Sequence, residues 1–134
     1  MTKLHDRLTA PGQKRILSLD GGGIRGILTL GFLEHIEEML AKENNDPDFR
    51  LCDYFDLIGG TSTGSIIASC LAIGMKASEV KKQYFELGTK IFGLKTGFFQ
   101  YLFKGVKYDN KPLEIALKKF FGDITLGDAE RIHT

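Results

Sequence analysis

The stretch Ile16–Gly26, ILSLDGGGIRG, leads an apolar run into three consecutive glycines followed by an isoleucine and an arginine. Glycine weakens strands and helices, so a glycine cluster marks a point where the backbone lies very close to another group. The run therefore predicts a strand that ends in a tight turn. The group that the turn approaches is a phosphate, a reacting oxygen, or nothing beyond the turn itself.

Helical periodicity begins directly after these glycines. Apolar residues recur at helical spacing from Gly26, which predicts an amphipathic helix that ends before Pro47. Its predicted inward residues are Ile27, Leu30, Leu33, Ile36 and Leu40, and the charged residues between them are Glu34, Glu37, Glu38 and Lys42. A further helix is predicted over Ser78–Leu87 with Ser78 as its N-cap, and Asn110–Pro112 opens a last amphipathic helix that ends before Gly122.

A second apolar run, Tyr54–Ile58, also leads into glycines, and the small-residue segment Ser65–Ile73 after it predicts a buried helix. The order strand, glycines, helix, repeated in succession, is typical of a parallel α/β sheet. The carboxyl ends of parallel strands share one edge, where such sheets place their sites. The sequence therefore predicts adjacent strands that end at Leu19 and Ile58, with both glycine turns on the same edge.

Composition excludes several classes of protein. The 134 residues are 43% hydrophobic and 26% charged, which is typical of one soluble globular domain, and the net charge of +1 lacks the basic excess of a nucleic-acid-binding protein. No apolar stretch approaches the roughly 20 residues of a membrane-spanning helix, and the N-terminus lacks a secretion signal. Met1–Lys14 are predicted to form a mobile leader, and Cys52 and Cys70 to be buried, reduced thiols of a cytoplasmic protein.

The first glycine turn, Gly21–Gly26, fits the dinucleotide-binding pattern G-x-G-x-x-G and lies between a predicted strand and helix. A nucleotide site also needs an acidic residue at the carboxyl end of the second strand, where it holds the ribose. Asp53 and Asp56 lie at the start of that strand instead. Dinucleotide binding is therefore a weak interpretation of this turn.

The second turn, Gly60–Gly64, matches the nucleophile elbow G-x-S-x-G. In an elbow the serine occupies a strained bend between strand and helix, and the helix N-terminus favours negative charge beside it. A Ser/Thr/Gly-rich connection gives the same letters by chance, but the position between a strand and a helix favours the elbow. With Gly22 predicted to face Ser62, Gly21–Gly23 supply amides for a developing oxyanion, which makes a reacting carbonyl the favoured neighbour.

The motif DGGGIRG followed by GTSTG resembles the patatin-like phospholipases, lipid acyl hydrolases with a Ser-Asp dyad. The resemblance extends from about Arg15 to Gly127 and includes DYFDLIGGTSTGSIIA and FGDITLGDA. It implies an α/β fold, a three-layer sandwich around a mainly parallel sheet, which this chain contains incompletely. Ser65 departs from the family pattern, because many relatives have a further glycine there.

The resemblance also implies roles for individual residues. Ser62 corresponds to the nucleophile, Gly21–Gly23 to the oxyanion loop and Arg25 to the basic residue of that loop. Further site residues implied by the motifs are Gly26, Gly60, Thr63 and Gly64. The implied activity is hydrolysis of acyl esters of membrane lipids, with transient contact to the membrane surface and no metal or cofactor.

The catalytic base is the main departure. The family's second catalytic residue is an aspartate in a downstream Asp-Gly-Gly or Asp-Gly-Ala motif, and the only Asp-Gly pair here is Asp20–Gly21 in the oxyanion turn. We therefore expect residues 15–134 to be the N-terminal part of a longer hydrolase domain, with an uncovered sheet edge that favours self-association. Two alternatives stay open: a lipid-binding or regulatory protein without turnover, and a Ser-His-Asp triad that uses Asp128 or Asp123 with His133.

Overall fold

The computed structural model describes residues 3–22, 25–91, 111–125 and 128. In chain order its elements are α1 (Lys3–Thr9), β1 (Ile16–Leu19), α2 (Gly26–Glu43), α3 (Leu51–Tyr54), β2 (Leu57–Gly60), α4 (Thr63–Ala72), α5 (Ala77–Ile91) and α6 (Lys111–Phe121). The two described strands are parallel neighbours, with Ile16 opposite Leu57 and Leu19 opposite Gly60. The predicted α/β class and the predicted strand pair are therefore confirmed.

The second strand is shifted from its predicted position. The apolar run Tyr54–Ile58 divides between the end of helix α3 and the start of β2, which continues to Gly60. Arg15 explains the boundary, because its carbonyl accepts the backbone N–H of Asp56 at 2.8 Å and that of Leu57 at 3.3 Å. Pairing with the chain before β1 thus decides where β2 begins.

The core lies between helix α4 and its neighbours. α4 packs against both strands, and α2 packs against α5. The largest fully buried side chains are Leu30, Leu51, Cys52, Ile67, Cys70, Leu71 and Val80. Burying one leucine or isoleucine side chain contributes about 1.5–3 kcal/mol. This core fixes α4, whose N-terminus follows the second glycine turn.

The buried face of α2 includes Leu30, Leu33 and Leu40 as predicted but differs from the prediction at positions 36 and 37. Ile36 is 39% exposed, whereas Glu37 is only 6% exposed. The Glu37 carboxylate accepts the backbone N–H of Leu51 at 3.2 Å and that of Ala77 at 2.8 Å, at the starts of α3 and α5. Ser78 is correspondingly not an N-cap, since α5 already begins at Ala77. A buried carboxylate from a distant helix provides the acceptor instead.

Glu37→Ala should lower the free energy of unfolding by about 2 kcal/mol at neutral pH, because it leaves the buried N–H groups of Leu51 and Ala77 without their acceptor. Burial raises the pKa of Glu37 above its ordinary value of 4.5. The native state then holds this proton more tightly than the unfolded chain, so wild-type stability rises as the pH falls through the raised pKa and the gain is complete below 4.5. Urea denaturation should show that the difference in free energy of unfolding between wild type and variant widens as the pH falls.

The control for this measurement is Glu38→Ala, which changes an exposed neighbour on the same helix. We expect its free energy of unfolding to stay within about 0.5 kcal/mol of wild type. A difference between wild type and Glu37→Ala that stays constant or narrows toward acid contradicts the raised pKa.

The segment expected to be a mobile leader contains helix α1. Arg7 attaches α1 to the end of α3 by donating to the carbonyl oxygens of Cys52 at 2.7 Å and Phe55 at 2.9 Å, and it pairs with the Asp56 carboxylate at 3.6 Å. The leader is thus anchored through one side chain, and its mobility stays a prediction.

The predicted state of the cysteines is confirmed, since both are free and buried. Burial raises the pKa of Cys52 to about 11 and that of Cys70 to about 12, which keeps both thiols protonated at neutral pH. None of the described helices combines the length and apolar character needed to cross a bilayer. The sequence is rich in Phe and Tyr over Phe92–Tyr108, which predicts either packing within the protein or contact with lipid, and this segment lies outside the described residues.

Candidate active site

The two glycine turns lie side by side at the carboxyl ends of β1 and β2. The Thr61 N–H donates to the Leu19 carbonyl at 3.0 Å, which continues the strand pairing into the second turn. A Cβ atom on Gly21 would lie 2.6 Å from the Ser62 Cβ and 2.7 Å from the Thr61 carbonyl oxygen. Any side chain at position 21 would therefore separate the turns, and their predicted position on one edge is confirmed.

Ser62 occupies the sharp bend between β2 and α4. Its backbone has φ 53° and ψ −125°, a left-handed conformation that a residue with a Cβ adopts only under strain of order 1–3 kcal/mol. A Cβ on Gly60 would lie 2.5 Å from the Gly64 carbonyl carbon, and one on Gly64 would overlap the Leu19 carbonyl. Both glycines of the motif are thus required by close packing, and together they hold the serine in this bend.

The Ser62 side chain is exposed at the start of α4. Within the part of the chain that the structure describes, no hydrogen-bond partner of its hydroxyl is found. Its carbonyl accepts the Ser65 hydroxyl at 2.6 Å and the Ser65 N–H at 3.0 Å. Ser65, the departure from the family pattern, therefore reinforces the turn and leaves the Ser62 hydroxyl accessible.

Threonine hydroxyls of the elbow hold the first glycine turn. The Gly21 N–H donates to Thr61 Oγ1 at 3.1 Å, and the Gly22 N–H donates to Thr63 Oγ1 at 3.2 Å. The first turn closes on itself where the Arg25 N–H donates to the Gly22 carbonyl at 3.2 Å. The amides of Gly21 and Gly22 thus have threonine partners in this structure, and Gly23 lies outside the described residues.

Comparison with known proteins agrees with this geometry. The family model described as patatin-like phospholipase matches residues 17–133. The chain belongs to the patatin-like phospholipase family. It is similar to Patatin-1-Kuras 2 and Patatin-01 of Solanum tuberosum, with 40% identity over 121 residues in each case. The match covers 85% of this chain but only 31% and 30% of those relatives, so the chain spans less than a third of their length.

Two described carboxylates of this patatin-like chain are engaged away from Ser62. Asp56, at the start of β2, accepts the Arg15 N–H at 2.8 Å, and this hydrogen bond is the main cause that lowers its pKa. Asp128 accepts the Thr125 N–H at 3.1 Å in a local turn. Among the described residues no carboxylate accepts the Ser62 hydroxyl, and no cluster of His, Cys, Asp or Glu could hold a metal ion. His133 lies outside them.

Two contributors to the patatin-like site were not predicted. Thr61 lies in the elbow motif but received no role, although its hydroxyl binds the opposite turn. Tyr84 of α5 is 6% exposed, and its hydroxyl would lie 2.9 Å from a Cβ on Gly26. The spacing of Ala77, Val80 and Tyr84 marks a buried face of α5, and a buried tyrosine hydroxyl requires a polar partner. This requirement was the sequence signal that could have predicted a polar contact for Tyr84.

Proposed function

We propose that the full-length protein is a lipid acyl hydrolase that cleaves acyl esters of membrane lipids, with Ser62 as its nucleophile. The observation that carries the proposal is the backbone of Ser62, whose φ of 53° presents an exposed hydroxyl between a strand and a helix. Gly21, which we assign to the oxyanion loop, lies directly beside it. Membership of the patatin-like phospholipase family supports the reaction class.

In the proposed mechanism the Ser62 Oγ attacks the acyl carbonyl carbon, and its proton passes to the dyad aspartate located beyond residue 134. The carbonyl oxygen becomes an oxyanion facing the loop Gly21–Gly23, and the N-terminal amides of α4 favour the same charge. Collapse of this tetrahedral intermediate expels the lipid alcohol, which takes up the proton from the aspartate. Water then hydrolyses the acyl-enzyme, which releases the fatty acid and restores the Ser62 hydroxyl. Arg25, exposed at the end of the loop, is available to a negatively charged group of the substrate.

We propose no metal or cofactor for this reaction, because the serine, the aspartate and the backbone amides supply its chemistry. The proposed partners are the lipid substrate and, transiently, a membrane surface reached from the cytoplasm. The remaining sequence of the same protein is a further partner, since it would contribute the base.

The alternative of a lipid-binding or regulatory protein without turnover is favoured by one observation. Threonine hydroxyls occupy the Gly21 and Gly22 amides, and no described carboxylate contacts Ser62. A downstream Asp-Gly-Gly or Asp-Gly-Ala motif in the gene would favour the enzyme, and its absence would favour the binding protein.

Substrate class is tested by comparing two esters with the full-length protein. Fatty-acid release from vesicles of long-chain phosphatidylcholine should proceed faster than hydrolysis of a dispersed short-chain p-nitrophenyl ester at equal ester concentration. The expected reason is that remote binding of a long acyl chain lowers the barrier at the reacting carbonyl. Equal rates, or preference for the soluble ester, contradict a lipase-type enzyme.

A further inference from the structure

The hydroxyl of Tyr84 lies where the two glycine turns meet. On one side it contacts Gly26, the last glycine of the first turn, where a Cβ would lie only 2.9 Å away. On the other side it shares a hydrogen bond with the hydroxyl of Thr63, the residue after Ser62. One phenol on α5 therefore contacts both halves of the candidate site, and Gly26 is glycine because a side chain would displace that phenol.

Thr63 connects Tyr84 to Gly22 of the oxyanion loop. It is 5% exposed, and its Oγ1 accepts the Gly22 N–H at 3.2 Å. A threonine hydroxyl has one proton and two lone pairs, so partners on two sides leave it a single orientation. Burial raises the pKa of Tyr84 above its ordinary value of 10.0, and its hydroxyl therefore stays protonated in the neutral range.

We propose that Tyr84 is a positioning residue for the oxyanion loop and acts through Thr63 on Gly22. The inference rests on the proposed function. Oxyanion donors must match the transition state to a fraction of an ångström, and the hydrogen bond from Gly22 to Thr63 fixes the position of Gly22 in the loop. Without the Tyr84 hydroxyl, Thr63 can rotate and the loop can shift, which weakens transition-state binding and leaves ground-state binding of the lipid intact.

Tyr84→Phe in the full-length protein tests this directly, because it removes one oxygen and keeps the buried ring. We expect kcat for a soluble chromogenic ester to fall by between about 10-fold and 10²-fold, with KM changed by less than about twofold. Affinity for a trifluoromethyl ketone, which binds a nucleophilic serine as a tetrahedral oxyanion, should fall by a similar factor. The matched control is Tyr54→Phe, which removes a phenol oxygen before β2, at the opposite end of that strand from Ser62.

A double-mutant cycle with Thr63→Val separates positioning from a general structural effect. Tyr84→Phe and Thr63→Val should each lower kcat, and the double variant should be no slower than the slower single variant. If Tyr84→Phe does not fold, the same split between kcat and KM in Thr63→Val decides the inference. A Tyr84→Phe kcat within about twofold of wild type, or effects that multiply in the double variant, overturn it.

The variant Ser62→Ala distinguishes a failure of this inference from a failure of the proposed function. Loss of hydrolysis in Ser62→Ala together with an unaffected Tyr84→Phe overturns only the positioning role. Hydrolysis that persists in Ser62→Ala overturns the proposed function and the positioning role together.

Discussion

Ser62→Ala in the full-length protein should lower kcat by about 10⁴-fold to 10⁶-fold, the range lost when a serine hydrolase loses its nucleophile. The change removes the only atom assigned to attack the carbonyl carbon. Alanine also has a Cβ, so the strained bend at φ 53° is no better or worse accommodated than with serine. The loss should therefore appear in kcat and leave the thermal midpoint nearly unchanged. A fluorophosphonate probe, which reacts with activated serines, should label wild type at Ser62 and leave the variant unlabelled.

The matched control is Ser69→Ala on the same helix. Its exposed hydroxyl donates to the Ser65 carbonyl at 2.9 Å, one turn away from the elbow. We expect its kcat to lie within about twofold of wild type, as for an ordinary surface substitution. Esterase activity that survives in Ser62→Ala, or labelling that moves to another serine, would falsify the elbow assignment.

Residues 1–134 alone should hydrolyse esters at least about 10³-fold more slowly than the full-length protein, since a serine hydroxyl is a weak nucleophile without a base. Two described carboxylates are engaged elsewhere, with Asp56 at the opposite end of β2 and Asp128 in its own local turn. Kinetics of both proteins with one soluble ester measure the difference. Changing the downstream aspartate of the full-length protein to asparagine should reproduce the loss.

The same 134-residue chain should also self-associate. Large apolar side chains are exposed on both described strands and along α2, where Ile16 is 65%, Leu57 51%, Leu28 66% and Phe32 73% exposed. Exposed apolar surface of this kind, beside strand edges, favours pairing between copies. Light scattering during size-exclusion chromatography measures the mass of the particle. Full activity from residues 1–134 would place the base inside them, and the triad of Asp128 and His133 would replace the dyad.

The strand–glycine–helix order was sufficient to predict the sheet, because it depends on local patterns. The positions that differ depend on contacts between distant residues. Periodicity assigned Ile36 to the core and Glu37 to solvent, but two helix starts from other parts of the chain provide donors that bury the carboxylate. The burial of Glu37 in place of Ile36 cannot be read from hydropathy when a deciding partner is 40 residues away.

The sequence was sufficient to predict the motifs of the candidate site but only some of the contacts between its residues. Gly60 and Gly64 could be assigned because the bend itself requires small residues. The role of Tyr84 depends on how α5 packs, and the role of Thr61 depends on which amide its hydroxyl meets after the turns pack together. That pairing follows from the strand register, in which Leu19 lies opposite Gly60. A motif defines the bend of the backbone, whereas the register decides its neighbours.

The hydrogen bond between Gly21 and Thr61 joins residues 40 apart in sequence, with α2 and α3 between them. Parallel strands cannot pair through a short hairpin, so the intervening helix must pack before the ladder closes. Contacts of such long range form late and slowly during folding, because closing a long loop costs entropy before any pairing repays it. We therefore expect the proposed nucleophile Ser62 and the proposed oxyanion loop to come together only near the end of folding.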